Sequence, residues 1–375
     1  MSDNKSTDPQ GDKKRILHLV HTPRHSGAET LVRELCLIHQ AQGIQTAIAS
    51  FATCDPDFMP SVTKLKEAGV QVFFPNKKLT GLDRSLFFKN VYQNFKPSLV
   101  YGHSVLPALY GRLALPFLGD KPKFVSVLHA ASNYNDIQLW GTEVILSRRG
   151  DYIFSVSEAG AADYRKRIPF HRPVQVVSNG IDTKSFDRNL TLRDSCRSQL
   201  GITQTEKFIV QIGRIDAVKQ QLFVFESLLP ILKSDHNLQL WFAGLTESNS
   251  YKESIQKMIA SNKLEKQVRI LGSREDISDL LFSADLFVMP SLREAQGIAL
   301  IEALASGVSV VASNIPTLQW ASSYDGVTLV PPQDGDALAT AAKRFLSSPQ
   351  RFARDISCFD ISVTADRYSS LLTET

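Results

Sequence analysis

LFVMPSLREAQGIALIEALASGVSVVAS, residues 286–313, runs from a short apolar strand through a loop and a helix of small residues into a second apolar strand. Such a unit builds a parallel sheet, because a helix must carry the chain back before the next strand can run in the same direction. The alternation extends to both sides. Downstream comes GVTLVPP, and upstream come KFIVQIGR, LQLWFAG and QVRILG, spaced by helical segments. An earlier series reads RILHLVHT, TAIASF, QVFFP, LVYGH, KFVSVLHA, YIFSVS and VQVVSNG. Phe124–Val127 is apolar nearly throughout, which suits a strand covered on both faces. Between the first two strands, AETLVRELCLIHQAQG reads as a helix that stops at Gly43.

The series restarts after NGIDTKSFDRN, so the expected fold is α/β, with two Rossmann-like doubly wound parallel-sheet domains facing a central cleft. The expected boundaries are a disordered tail over 1–14, a first domain over 15–185, a second over 186–358 and a last helix over 359–375. A length of 375 residues is too great for one ordinary core, and 43% hydrophobic with 21% charged residues is a soluble composition. No run approaches the roughly 20 apolar residues of a membrane helix. The polar start MSDNKSTDPQGDKK has no apolar segment and is not a signal peptide. Cys36, Cys54, Cys196 and Cys358 are scattered, which points away from a zinc site or a disulfide framework and toward the cytoplasm.

The net charge of +4 is uneven: residues 1–187 hold 23 Lys and Arg against 17 Asp and Glu, and the remainder holds 19 against 21. A basic first half can face an anionic membrane or acceptor, at the inner face of the cytoplasmic membrane, as well as being ordinary surface variation. RSLFFKNVYQNFK is a candidate interfacial segment whose plainer reading is a core-facing helix. Nucleic acid is not expected, since no basic cluster is interleaved with aromatics.

Glu294 and Glu302 are eight positions apart, about 12 Å if the segment were helical throughout. With Glu294 on the loop and Glu302 in the helix, both can meet one extended ligand. A nucleotide-sugar is such a ligand: carboxylates suit its hydroxyls and helix-start amides suit its diphosphate. Arg214 and Lys219, on the turn after KFIVQIG, can clamp that diphosphate and stabilise the charge growing on a leaving group. No metal is then required. Asp55-Pro56-Asp57 matches an Asp-x-Asp metal signature in form, but a turn around Pro56 explains it more simply. No first strand is followed by G-x-G-x-x-G, which disfavours a dinucleotide oxidoreductase.

Five ordered motifs carry a resemblance: SGAE (26–29), the His-ended strands YGHS and VLHA, VVSNGIDTKSF, IGRIDAVK, and the glutamate pair. From Arg15 onward the chain resembles the retaining GT-B glycosyltransferases of the family-four type, the glycosyl transferases group 1. The resemblance implies the GT-B architecture and a final helix laid back on the first domain. It assigns Arg214 and Lys219 to the donor diphosphate, Glu302 to the ribose hydroxyls, and Glu294 to the hydroxyls of the transferred sugar. Gly297 lets the backbone approach the donor, Gly27 stands on the phosphate side, and His129 faces the reacting sugar. Ser26 and His103 join His129 on the acceptor side. It also implies a glycan or lipid-linked acceptor in bacterial envelope, lipopolysaccharide or exopolysaccharide synthesis.

Two departures stand out. The family commonly has Gly-Phe-Gly where this chain has Ala295-Gln296-Gly297, and a Gly-Gly pair where it has Ser26-Gly27. The first places an amide, Gln296, beside the expected sugar pocket, a sign of unusual donor selectivity. Ser26 also reads as a helix N-cap with Glu29 completing a capping box. These departures are the only support for a second reading, a GT-B-fold binding or assembly subunit without catalysis; a third is a nucleotide-sugar epimerase on a similar fold.

Overall fold

The computed structural model describes residues 14–129, 134, 136–186 and 191–373. The tail expected over 1–14 lies outside them except for Lys14. The chain divides into two compact units. One takes the residues up to Val156, Ala161–Val177 and the residues from Thr364 on; the other takes Ser157–Gly160 and Ser178–Val363.

The first unit holds β1 (Arg15–Val20), β2 (Gln45–Ser50), β3 (Gln71–Phe73), β4 (Leu99–His103), β5 (Lys123–Leu128), β6 (Tyr152–Ser155) and β7 (Val174–Val176). They form one parallel sheet in the order β3-β2-β1-β4-β5-β6-β7. Its central strands are hidden on both faces, with Phe124, Val125 and Val127 fully buried, as their unbroken apolar character requires. Gly102 on β4 lets the helix Val105–Ala114 pack closely: a Cβ there would lie 2.6 Å from the Ala108 Cα. The helix Asp83–Phe95 turns Phe88, Val91, Tyr92 and Phe95 into the core, so RSLFFKNVYQNFK is a packing element. The residues after Thr364 are tied to this unit by bonds from His39 Nε2 to the Ala365 carbonyl, Tyr101 Oη to that of Tyr368, and Lys123 Nζ to that of Leu371.

The second unit holds β8 (Lys207–Ile212), β9 (Leu238–Ala243), β10 (Val268–Gly272), β11 (Leu286–Met289), β12 (Ser309–Ser313) and β13 (Val327–Val330), all parallel, in the order β10-β9-β8-β11-β12-β13. Two cores sandwich this sheet. One gathers Val224, Phe225 and Leu228 of the helix Gln221–Ser234, and the other gathers Leu300, Ile301 and Leu304 of the helix Ile298–Ala305. All thirteen strands fall on the apolar runs that the sequence marks out, with β2 starting one residue earlier, at Gln45. No described helix is long and apolar enough to cross a membrane.

Candidate functional site

A doubly wound sheet reverses its strand order once. There the chains leaving two adjacent strands go to helices on opposite faces, and a crevice opens at the carboxyl ends. In the second unit this point lies between β8 and β11, whose following helices belong to the two separate cores. Arg214 and Lys219 follow β8, and Glu294 and Glu302 follow β11, so four of the expected residues come to one place in the fold. Glu294 stands on the loop and Glu302 in the helix.

Lys219 Nζ lies 2.5 Å from Glu294 Oε1, an ion pair across the switch point whose side chains are 17% and 8% exposed. The backbone holds it in place. Leu292 N–H donates to the Val218 carbonyl at 2.9 Å, linking the two loops. Asp216 Oδ1 accepts from Lys219 N–H at 3.0 Å, and Gln211 Nε2 donates to the Lys219 carbonyl at 2.6 Å. Arg214 is more open: its guanidinium reaches Asp216 Oδ2 at 3.4 Å and Glu247 Oε2 at 3.5 Å, and Gln221 Nε2 holds its carbonyl at 2.8 Å. Asp216, Gln211 and Gln221 went unread in the sequence. The signal available was the alternation of polar residues around Arg214 and Lys219, which local pattern alone does not interpret.

Gly213 and Gly244 end β8 and β9 back to back. Gly244 has φ +147°, and a Cβ on it would fall 2.0 Å from the Gly213 carbonyl oxygen. Gly297 begins the next helix at φ +82°, where a Cβ would press at 3.0 Å on Met289 and 3.1 Å on Leu318. Its glycine is thus required by the left-handed turn itself. Glu302, half-buried on that helix, meets no donor among the described residues. Burial pushes its carboxyl up to about 7. A part-buried carboxylate without a protein partner can accept from hydroxyl or amide donors.

Gln296 has a partner within the fold. It is 3% exposed, and its Oε1 accepts the Asn179 N–H at 2.7 Å. The amide oxygen therefore fastens the start of the second unit's chain to this loop.

The first unit has the same device between β1 and β4. Ser26 and Gly27 follow β1, at the head of the helix Gly27–Ala41, where Gly27 is exposed. Ser26 occupies the N-cap but makes no side-chain cap bond; its hydroxyl donates to the Glu29 carboxylate, so the reciprocal capping box does not form. His129 stands just past β5, part-exposed, and burial of much of the ring pulls its pKa down to about 4. His103 ends β4 but is only 2% exposed, and both ring nitrogens are engaged: Nδ1 at 2.8 Å from His129 Nε2, and Nε2 at 2.9 Å from His18 Nδ1. It meets other rings, with no face left for an acceptor. Asp55 Oδ1 accepts from Asp57 N–H at 3.3 Å, which starts the short turn Pro56–Phe58.

Two doubly wound parallel-sheet units in succession, the second with cations and carboxylates gathered at its switch point, define the GT-B class. The chain belongs to the glycosyltransferases of that class: residues 25–185 match the family model Glycosyltransferase Family 4, and residues 193–357 match Glycosyl transferases group 1. It is similar to N-acetyl-alpha-D-glucosaminyl L-malate synthase of Bacillus anthracis, with 24% identity over 60% of this chain and 58% of that one. It is also similar to a lipopolysaccharide core biosynthesis mannosyltransferase of Rhizobium meliloti, with 26% identity over 57% of this chain and 60% of that one. The chain thus spans little more than half the length of these relatives. In fold it is similar to Anabaena HepE, solved with UDP and glucose, at a TM-score of 0.79 and 19% identity over 96% of this chain and 99% of that one.

Proposed function

We propose that this chain transfers a hexose-type sugar from a nucleotide-diphosphate donor to an acceptor hydroxyl, with retention at the anomeric carbon and no need of a divalent metal. The observation that supports it most is the Lys219–Glu294 pair across the β8/β11 switch point, beside Arg214 and the unpartnered Glu302. Arg214 and Lys219 take the diphosphate, Glu302 accepts from the ribose hydroxyls, and Glu294 accepts from the transferred sugar. Gly297 starts the helix on the donor side. Gly27 and Ser26 serve the phosphate and acceptor sides of the first unit, and His129 meets the reacting sugar.

Retention follows front-face attack. The bond from the anomeric carbon to the diphosphate oxygen breaks, the bond to the acceptor oxygen forms on the same side, and the departing phosphate oxygen takes the acceptor proton. Arg214 and Lys219 hold the negative charge as it grows. The names of relatives favour an envelope glycan or glycolipid acceptor. A membrane-linked acceptor also gains support from a basic, aromatic-edged hollow in the first unit. Lys121, Arg148, Arg149 and Arg172 line it, and Phe117 and Phe170 stand 65% and 74% exposed, with the Arg148 guanidinium 5.3 Å from the Phe170 ring.

The test is nucleotide release from a panel of nucleotide-sugars with glycan and glycolipid acceptors, followed by linkage analysis of the product. Release that depends on the acceptor, giving an α-linked product from an α-linked donor, is expected. No release from any donor favours the binding-subunit reading, and a changed donor sugar without acceptor favours the epimerase.

A further inference from the structure

Four histidines stand in file through the first unit. His18 on β1, His103 on β4 and His129 after β5 are joined ring to ring by two hydrogen bonds, of 2.9 and 2.8 Å. His39, on the helix Gly27–Ala41, stacks on His18 with centroids 6.4 Å apart. Tyr101 lies against His18 at 5.3 Å. Neither His18 nor His103 touches the proposed ligands, yet both occupy the centre of the sheet, where an apolar residue would pack without needing a partner.

Three neutral rings can share two bonds in only two ways. Burial holds all three below the ordinary imidazole range, so each carries one N–H and one lone pair. His103 must donate through one nitrogen and accept through the other, so both bonds run in the same direction. If they run inward, His129 Nε2–H donates to His103, His103 Nε2–H donates to His18, and the His18 proton sits on Nε2. That nitrogen is buried without a partner, so a donor would be stranded. If they run outward, the unpaired atom at the same place is a lone pair. His39 offers no rescue to a stranded donor through a direct bond: its Nε2 faces the Ala365 carbonyl at 2.8 Å and must carry the proton there, and no bond joins its ring to His18. Buried N–H groups without acceptors are rarer in proteins than under-satisfied acceptors.

We infer that His103, backed by His18, is a positioning residue that holds His129 in its Nδ1–H form, so that His129 meets its ligand oxygen as a hydrogen-bond donor and not as a base. The inference rests on the reading of His129 as a site residue for its consequence, but not for its test. A ring fixed in this way serves a ligand atom that accepts: a sugar hydroxyl oxygen, a ring oxygen or a phosphate oxygen. It also explains why a buried pair of imidazoles persists behind a single part-exposed one.

The test is long-range proton–nitrogen correlation NMR on the ligand-free full chain labelled with nitrogen-15 histidine, with the His129 signals assigned by their loss in His129→Gln. The expected spectrum shows a pyrrole-type Nδ1 and a pyridine-type Nε2 for His129 at neutral pH. The opposite pattern overturns the inference. In His103→Leu, which removes the inner donor, the pyrrole-type signal is expected to move largely to Nε2, the form that free histidine prefers in water. An unchanged His129 spectrum in a folded His103→Leu protein removes His103 from the role. The wild-type spectrum decides the direction of the file even where that variant does not fold, and neither measurement depends on glycosyl transfer.

Discussion

The two switch points are built alike and furnished differently. Between β8 and β11 the groups are charged and paired: Lys219 with Glu294, and Arg214 with Asp216 and Glu247. Between β1 and β4 the groups are neutral rings, with His103 and His18 enclosed behind His129. Parallel-sheet topology creates the crevice in both, but what fills it decides the chemistry. Charges kept part-exposed can be re-paired by an anionic ligand, whereas neutral rings in a dry sheet can only orient one another.

The sharpest break of that contrast is a matched pair of substitutions. Lys219→Ala is expected to lower turnover by about 100- to 1,000-fold, as loss of a charge-stabilising group does. His129→Gln, which removes one neutral hydrogen bond, should cost only about 10-fold. Comparable losses in steady-state assays would erase the distinction, and transfer at the wild-type rate by folded Lys219→Ala would end the donor-side reading.

Next in size is Gly244→Ala, whose Cβ would meet the Gly213 carbonyl at 2.0 Å with φ at +147°. A loss of about 3 kcal/mol in denaturant unfolding is expected, since backbone must move against backbone. The cramped end of β8 and β9 would be shown to be soft if the variant unfolded like the wild type.

Glu302 probes the charged side by pH. Its folded carboxyl titrates near 7, above the ordinary 4.5. Below the ordinary value both folded and unfolded chains are protonated, and burial costs nothing. As pH rises through the interval the unfolded chain ionises first, so stability is lost, and the loss is complete above the folded value. Glu302→Gln should therefore be the more stable protein by about 1–3 kcal/mol near pH 8 and indistinguishable near pH 4, while binding nucleotide-sugar more weakly. Thermal unfolding at the two pH values checks this, and equal stability at both would show that the carboxylate is hydrated.

The smallest effect is at Gln296→Ala. It leaves the Asn179 N–H without its acceptor and should cost about 1–2 kcal/mol in unfolding experiments, with little change in the ranking of donor sugars. An altered ranking would return Gln296 to the sugar pocket.

Each strand was legible in the sequence because an apolar run bounded by turn residues has few other readings. RILHLV, KFVSVL and LFVM are cases where the burial is total or nearly so. The site residues Arg214, Lys219, Glu294 and Glu302 were legible as motif positions, but their pairing was not. Lys219 and Glu294 are 75 residues apart, and nothing local says that β11, rather than β9, will bring a carboxylate to the lysine. The Gln296–Asn179 bond spans 117 residues, and so the fastening made by the amide oxygen was not legible in the local sequence. His18 was hidden differently. It sits in mid-strand, where its neighbours taught only that the run was buried; a lone histidine among them was the unread sign.

The bridge between Lys219 and Glu294 also bears on what the second unit turns away. The dianion of a phosphate monoester can attract the lysine, but its phosphate group has no hydroxyl of its own to donate to the acid it strands. A plain sugar can greet the acid but gives the ammonium no counter-ion. On the proposed donor reading, a molecule with both an anionic and a hydroxylic end answers the two residues at once, and the closed bridge would act as a lock with two tumblers.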